Sequence, residues 1–285
     1  MPQQRTDTAK EFDFTRSDFE RVRALIYQRA GISLADSKQE MVYSRLARRL
    51  RATGIQSFTR YLDDLEAGRM TAEWEAFTNA LTTNLTSFFR EAHHFPLLEE
   101  HLAGLVRRDG KPLTIWCSAA STGEEPYSIA MTACEAFNSL SPPVQIVATD
   151  IDTNVLAVGA NGVYPMERVE KMGAERLKRF FLKGKGANEG MARVRPELRQ
   201  LVSFRQLNLL ANEWPVDGQF DAIFCRNVMI YFDKDTQRKI LARFVPLMKP
   251  HALLFAGHSE NFLYVSDSLR LRGKTVYELD EAARR

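Results

Sequence analysis

Over the first eighty positions, apolar residues recur at three- and four-residue intervals and are stopped repeatedly by glycine. Phe19, Val22, Leu25 and Ile26 share one helical face, with Ser17 as the expected cap and Gly31 as the stop. A second helix is predicted from about residue 37 to 52, with Val42, Leu46 and Leu50 as its stripe and Gly54 beyond it. A third starts near Ser57 and carries Phe58, Tyr61, Leu62 and Leu65 towards Gly68. A fourth starts near Thr71 and carries Trp74, Phe77 and Leu81. Four short helices of this kind make a small bundle, assigned to residues 15–81. The polar residues 1–14 before it are expected to form a mobile arm.

The pattern then changes. Residues 82–92 mix hydrogen-bonding side chains with Phe88 and Phe89, as a linker anchored by its aromatic pair would. Asn84 and Thr86 stand two apart, so on an extended backbone they point the same way and can reach one ligand. Short apolar runs at residues 113–118, 144–149, 220–225 and 252–256 read as strands, and 274–279 as a last, hairpin-paired one. Helical spacing follows the first run, restarts near Thr153, and extends from about residue 235 to 248. This is the rhythm of an α/β sheet, and the domain is expected to span residues 93–285. Between about residues 162 and 204 the rhythm breaks. Candidate strands at 191–194 and 201–207, behind a glycine-rich turn, predict an inserted antiparallel β-subdomain whose edge can add a peptide strand.

The first strand leads through small residues and a single glycine, Gly123, into a helix that begins Glu124-Glu125-Pro126. A backbone there is expected to pass close to a ligand at the strand's carboxyl end. The turn lacks the glycines of a dinucleotide fingerprint, and two carboxylates would repel phosphate. They suit a cation or a ligand rich in hydrogen-bond donors. S-adenosylmethionine (SAM) is such a ligand, with its sulfonium, ammonium and ribose hydroxyls. The same carboxylates also suit the helix dipole with no ligand at all. The second strand ends in Asp150-Ile151-Asp152, where one aspartate can accept from ribose hydroxyls and the other can cap the next helix. Asn227 and Tyr231 fall just past the carboxyl end of a later strand, where ligand and substrate meet in open α/β sheets.

Composition narrows the partners. A net charge of +3 over 285 residues is too small to argue for nucleic acid. Cys117, Cys134 and Cys225 have no C-x-x-C spacing, which gives neither a zinc signature nor a disulfide framework, and buried thiols are expected. The polar start lacks an apolar signal core, and no apolar run approaches the roughly 20 residues of a membrane span. A cytoplasmic protein without membrane insertion is expected. On the second helix Arg45, Arg48 and Arg49 gather beside the apolar stripe, although residues 1–80 are nearly balanced, 13 basic against 12 acidic. That arc is either a solvated face or a contact surface for an acidic partner.

Six stretches, residues 82–91, 118–131, 148–152, 207–210, 220–233 and 257–262, together resemble the chemotaxis receptor methyltransferases of the CheR family over nearly the full chain. The resemblance implies a Rossmann-like SAM-dependent methyltransferase domain with an inserted β-subdomain behind a small helical domain. It implies SAM as donor, S-adenosylhomocysteine as product, no metal, and glutamate side chains on cytoplasmic receptor helices as acceptors. By motif, Asn84, Thr86, Arg90, Glu125, Asp150, Asn208, Leu209, Arg226 and Asn227 would bind the donor. Arg90 and Tyr231 would serve catalysis, and Arg45, Arg48 and Arg49 would face the receptor. A receptor C-terminal peptide is the expected guest of the insert, and a monomer is expected. Two rivals share the fold. A nucleic-acid methyltransferase often carries an Asn/Asp-Pro-Pro-aromatic loop, whereas this chain reads Asn227-Val228-Met229-Ile230. A non-catalytic SAM sensor would have no need of Arg90, Asp150, Asn227 and Tyr231 together.

Overall fold

A computed structural model describes residues 10–105 and 111–284, in two compact units, Met1–Thr82 and Thr83–Arg285. The first unit holds α1 (Arg16–Ala30), α2 (Gln39–Thr53), α3 (Phe58–Glu66) and α4 (Glu73–Leu81). Their buried positions are the predicted stripes, including Phe19, Val22 and Ile26 on α1 and Val42, Leu46 and Leu50 on α2. The cap of α1 is Thr15 rather than Ser17. Thr15 Oγ1 accepts the Asp18 N–H at 3.1 Å while the Asp18 carboxylate accepts the Thr15 N–H at 2.9 Å, so two free helix-end donors are satisfied reciprocally. Gly31, at φ 69°, ends the helix as expected. Of the predicted arm, residues 1–9 lie outside the described residues. Residues 10–14 are held against the bundle: Phe12 is buried edge-on to Phe58, and the Phe14 ring centre lies 4.5 Å from that of Phe58. Two aromatics in a polar segment supply the apolar area that anchors it.

The second unit opens with α5 (His94–Gly104), an element beyond the predicted ones although Phe95, Leu98 and Leu102 repeat at helical spacing. Then follow β1 (Leu113–Cys117), α6 (Glu124–Ala136), β2 (Val144–Asp150) and α7 (Thr153–Asn161). The insert contains β3 (Val163–Pro165), α8 (Met166–Val169), α9 (Ala174–Phe180), β4 (Phe181–Lys183) and β5 (Met191–Val194). After α10 (Pro196–Gln200) come β6 (Val202–Gln206), β7 (Phe220–Cys225), α11 (Lys234–Phe244), β8 (Met248–Ala256) and the hairpin of β9 (Leu269–Gly273) and β10 (Val276–Leu279).

The main sheet has seven strands in the order β6-β2-β1-β7-β8-β10-β9. β6 through β8 run parallel, and β10 and β9 add antiparallel at one edge. The stretch at 201–207, expected inside the insert, is therefore the parallel edge strand β6 beside β2. The separate sheet is the antiparallel set β3-β5-β4, two of whose strands are only three residues long and too short to leave a pattern. Both faces of the main sheet are buried, as parallel sheets require. Trp116 packs on Trp214, Phe220 and Phe244, while on the opposite face Phe224 stacks on Phe255 and Phe95. From β1 the chain grows outward to β2 and then β6, and returns through β7 to β8 on the other side. That reversal between β1 and β7 is a topological switch point, where open α/β sheets bind ligands beyond the strand carboxyl ends.

Candidate active site

The turn after β1 is fixed by its neighbours. Ser118 donates its N–H to the Phe224 carbonyl of β7 at 2.8 Å, and Ala120 donates to the Thr149 carbonyl of β2 at 2.8 Å. Gly123 is in the left-handed region at φ 95°, and a Cβ there would meet the Gly159 Cα and the Tyr164 hydroxyl, each at 2.7 Å. This glycine lets the turn close against α7 and β3. The two helix-start carboxylates diverge. Glu124, fully buried, pairs with Arg168 of α8 at 2.6 Å and accepts from the Thr122 hydroxyl at 2.6 Å, so it belongs to the insert's anchorage. Glu125 turns inward, accepts from Arg226 Nη1 at 2.5 Å, and receives the Cys117 thiol at 3.3 Å. Burial, and then the Glu125 charge, hold that thiol well above its ordinary pKa, so it is an inert donor.

Arg226 joins both sides of the switch point. It is buried at 4% exposure. Besides Glu125 it meets Glu91 Oε2 at 3.2 Å and donates to the Arg90 carbonyl at 2.5 Å. Glu91 also accepts from the Asn227 side-chain amide and the His258 N–H, each at 3.1 Å. Burial pushes the Glu91 carboxyl up, but the His258 N–H, Arg226 and Asn227 outweigh it and leave it below its usual range. Glu91, His93 and His94 also bring three ligand-type atoms within 4.8 Å of one another. Arg226 already supplies the positive charge a cation would bring to Glu91. His94, pushed down to about 4 by burial and then by Arg226, is neutral and bonded through Nε2 to the Lys274 carbonyl and the Thr275 hydroxyl, both at 3.1 Å.

At the tip of β2 one of the two expected roles, the helix cap, falls to Asp152. Asp152 caps α7, accepting from the Asn154 N–H at 2.9 Å, and also takes the Asn84 amide at 2.9 Å. Asp150 accepts from the N–H groups of Ser121 at 2.8 Å and Asp152 at 3.0 Å. Its other neighbours leave it without a cation among the described residues, and burial raises it to about 6 despite those N–H groups. A buried carboxylate with lone pairs beyond two N–H donors suits neutral hydroxyl donors, so the pair Glu125 and Asp150 fits the ammonium, ribose and sulfonium chemistry of SAM. The Leu207 N–H bonds to the Asp150 carbonyl at 2.9 Å and brings half-buried Asn208 and buried Leu209 alongside.

The linker ends on the same edge. Phe88 packs edge-on against Tyr164 and Phe181, which makes it the anchor the composition suggested. Arg90, half-buried, folds back to donate to the Leu85 carbonyl at 2.7 Å; Thr86 lies half-buried between them in sequence. Beyond β7, Asn227 is left-handed at φ 58°, and half-buried Tyr231 follows in a short 3-10 turn, Met229–Tyr231.

Sequence comparison agrees with this geometry. The family described as CheR methyltransferase, SAM binding domain, matches residues 84–277, and CheR methyltransferase, all-alpha domain, matches residues 17–82. The chain belongs to the CheR methyltransferase family. Chemotaxis protein methyltransferase 2 of Pseudomonas aeruginosa is 58% identical over 268 residues, 94% of this chain and 95% of that protein. The chemotaxis protein methyltransferase of Salmonella typhimurium is 56% identical over 263 residues, 92% of this chain and 90% of that protein. That of Escherichia coli is 54% identical over 263 residues, 92% of this chain and 91% of that protein. SAM-dependent methylation in chemotaxis is thus this CheR protein's activity.

The CheR SAM-binding region contains all the predicted donor-site residues and Tyr231, whereas Arg45, Arg48 and Arg49 lie on α2 in the all-alpha region. Two of those arginines have work inside the bundle. Arg45 donates to the Ala80 and Thr82 carbonyls that close α4, and Arg49 makes a two-pronged pair with Glu73 at 2.8 Å for each contact. Arg48 is exposed. Sequence reasoning assigned no role to Glu91 or Glu260, which bracket Asn227. Both lie in stretches with family resemblance, and that was the only signal available for them. Among the described residues no helix is long and apolar enough to cross a membrane.

Proposed function

We propose that this CheR protein transfers the SAM methyl group to glutamate side chains on the cytoplasmic helices of chemotaxis receptors, forming methyl esters and S-adenosylhomocysteine. One observation carries the choice of acceptor: the carboxylates that flank the loop leading to Tyr231, Glu91 and Glu260, are already engaged. Glu125 and Glu91 hold Arg226, Asp150 holds two N–H groups, and Glu260 holds three. Asp150 keeps lone pairs for the donor's ribose hydroxyls, so none of the four is assigned as a general base for the acceptor, and a glutamate acceptor, ionised at neutral pH, requires none. Bound SAM supplies a methyl group on a sulfonium whose departure is easy. The protein's task is therefore positioning and control of charge.

In this reading Glu125 and Asp150 hold the donor's ammonium and ribose. Asn84, Thr86, Asn208, Leu209, Arg226 and Asn227 shape the rest of its site. Arg90 offers a guanidinium to a carboxylate, either the incoming glutamate or the donor's own, and Tyr231 positions the reacting group. Each turnover replaces a charge by a neutral ester, which changes repulsion among receptor helices and shifts their signalling equilibrium. The α2 face, with Arg48 as its exposed member, would meet that acidic partner. The antiparallel insert would add a receptor C-terminal peptide at an outer strand such as β4, where Leu182 is exposed. The protein would work in the cytoplasm as a monomer, without a metal. Incubation with methyl-labelled SAM and receptor-rich membranes tests the proposal. Label released as methanol by mild base is expected; label stable to base, or carried on RNA, would overturn the glutamate ester.

A further inference from the structure

Glu260 lies just after β8 with 4% exposure, and the methyl-transfer chemistry gives it no role. Its carboxylate points at backbone. Oε2 accepts the N–H of Asn227 at 2.9 Å and of Gly257 at 2.5 Å, and Oε1 accepts the N–H of Met229 at 2.8 Å. Its own N–H closes the turn on the Gly257 carbonyl at 2.9 Å. Two of its three acceptor contacts thus go to the loop between β7 and Tyr231. That loop begins with Asn227 in a left-handed conformation, which costs a non-glycine residue free energy unless neighbours hold it. Glu91 holds the Asn227 side chain from one side, and Glu260 holds its backbone from the other. Gly257 allows this approach: a Cβ there would stand 2.5 Å from Asn227 Nδ2, 2.8 Å from Asn227 N and 2.8 Å from Glu260 Oε2.

We infer that Glu260 is a positioning residue for methyl transfer: its carboxylate, admitted by Gly257, fixes the backbone of residues 227–229 and so sets where Tyr231 stands relative to the acceptor. The inference rests on the proposed methyl transfer. A carboxylate suits the task because each oxygen accepts from N–H groups and donates nothing. Glutamine has the same shape, but its amide nitrogen would face an N–H with another N–H. Glu125 and Asp150, the donor's acidic contacts, make no bond to Glu260 among the described residues, whereas Asn227, which Glu260 holds, borders donor and acceptor alike.

The test compares wild type, Glu260→Gln and Gly257→Ala, by receptor methylation at saturating SAM and by calorimetric titration with S-adenosylhomocysteine. Displacing the loop should lower kcat between about 10- and 100-fold. Because Asn227 also borders the donor, the affinity for S-adenosylhomocysteine should fall too, but by less than kcat does, under about tenfold. Gly257→Ala crowds the same contact without changing charge, so it decides the matter if Glu260→Gln does not fold. Variants that unfold at lower temperature but keep wild-type kcat overturn the inference. So does a loss confined to affinity for S-adenosylhomocysteine. A wild type that esterifies no receptor, while still binding S-adenosylhomocysteine, overturns the proposed acceptor and this inference with it. A wild type that is active alongside equally active variants overturns the inference alone.

Discussion

On the β1 and β2 side of the switch point, the site is built from strand tips and a turn bolted to both neighbours; on the β7 and β8 side it is built from loops that other side chains must hold. Glu125 and Asp150 stand on the first side, buried, with their partners fixed by the sheet. Arg90, Asn227 and Tyr231 stand on the second, half-buried, and the backbone around them is left-handed at Phe89, Glu91 and Asn227, with φ between 51° and 58°. The difference separates two tasks. A rigid side suits affinity for a donor of constant shape, and a held but less regular side suits orientation of a protein acceptor. Arg226 bonds to both, through Glu125 and through Glu91 and the Arg90 carbonyl.

Removing that link should have the largest effect. Arg226→Ala leaves buried Glu125 and half-buried Glu91 without their cation and should cost about 3–5 kcal/mol of stability, read from denaturant unfolding of the whole chain. A loss below about 1 kcal/mol would mean the two sides are not joined through this guanidinium. The second side is probed next. Arg90→Ala should lower receptor methylation about 100-fold or more, as loss of a charged donor at the reacting group does. Tyr231→Phe removes one neutral hydrogen bond and should cost about tenfold or less. Equal, mild losses would contradict the division of labour between them.

The first side has a pH signature. Burial raises Asp150 to about 6, from 3.8 for the free side chain. Its ionised form therefore costs fold stability at neutral pH, and that cost fades as the pH falls from 6 towards 4. With the donor's hydroxyls on Asp150, as proposed, donor affinity should run the opposite way, because hydroxyls donate to the ionised carboxylate. The dissociation constant for S-adenosylhomocysteine should be level above pH 7 and rise by up to about tenfold per unit below 6. A level profile down to pH 5 would remove Asp150 from the donor site. The smallest effects belong to α2. Arg49→Ala should destabilise the helical unit by about 1 kcal/mol through loss of the Glu73 pair, whereas Arg48→Ala should leave stability unchanged. Arg48→Glu should raise KM for receptor severalfold by reversing a charge at the contact, with donor affinity unaltered. Unchanged KM would make α2 a solvated face.

The first side was also the more legible one. Its chemistry sits on residues that short-range pattern places: a strand of apolar residues, a turn, then Glu125; a second strand, then Asp150. What escaped depends on distance along the chain. Glu260 meets Asn227 thirty-three residues away, and Glu91 meets Arg226 and Asn227 more than a hundred away, with no local periodicity to announce either. Gly123 is legible as part of the turn, but only the fold reveals Gly159 and Tyr164 against it. The pattern at 201–207 was right as a strand and wrong as to its sheet, since partner choice is a tertiary property. Arg45 and Arg49 illustrate the same limit: helical spacing shows that they cluster, but not that the α4 carbonyls and Glu73 occupy them.

Calorimetric titration of the wild type and of Asp150→Asn with S-adenosylhomocysteine at pH 7.5 examines the donor site itself. One molecule should bind per chain, and the variant, deprived of a charge-assisted bond, should bind about 10- to 100-fold more weakly while remaining folded. Absence of binding by the wild type, or equal affinity in the variant, would contradict a donor gripped by the acidic tips of β2 and α6.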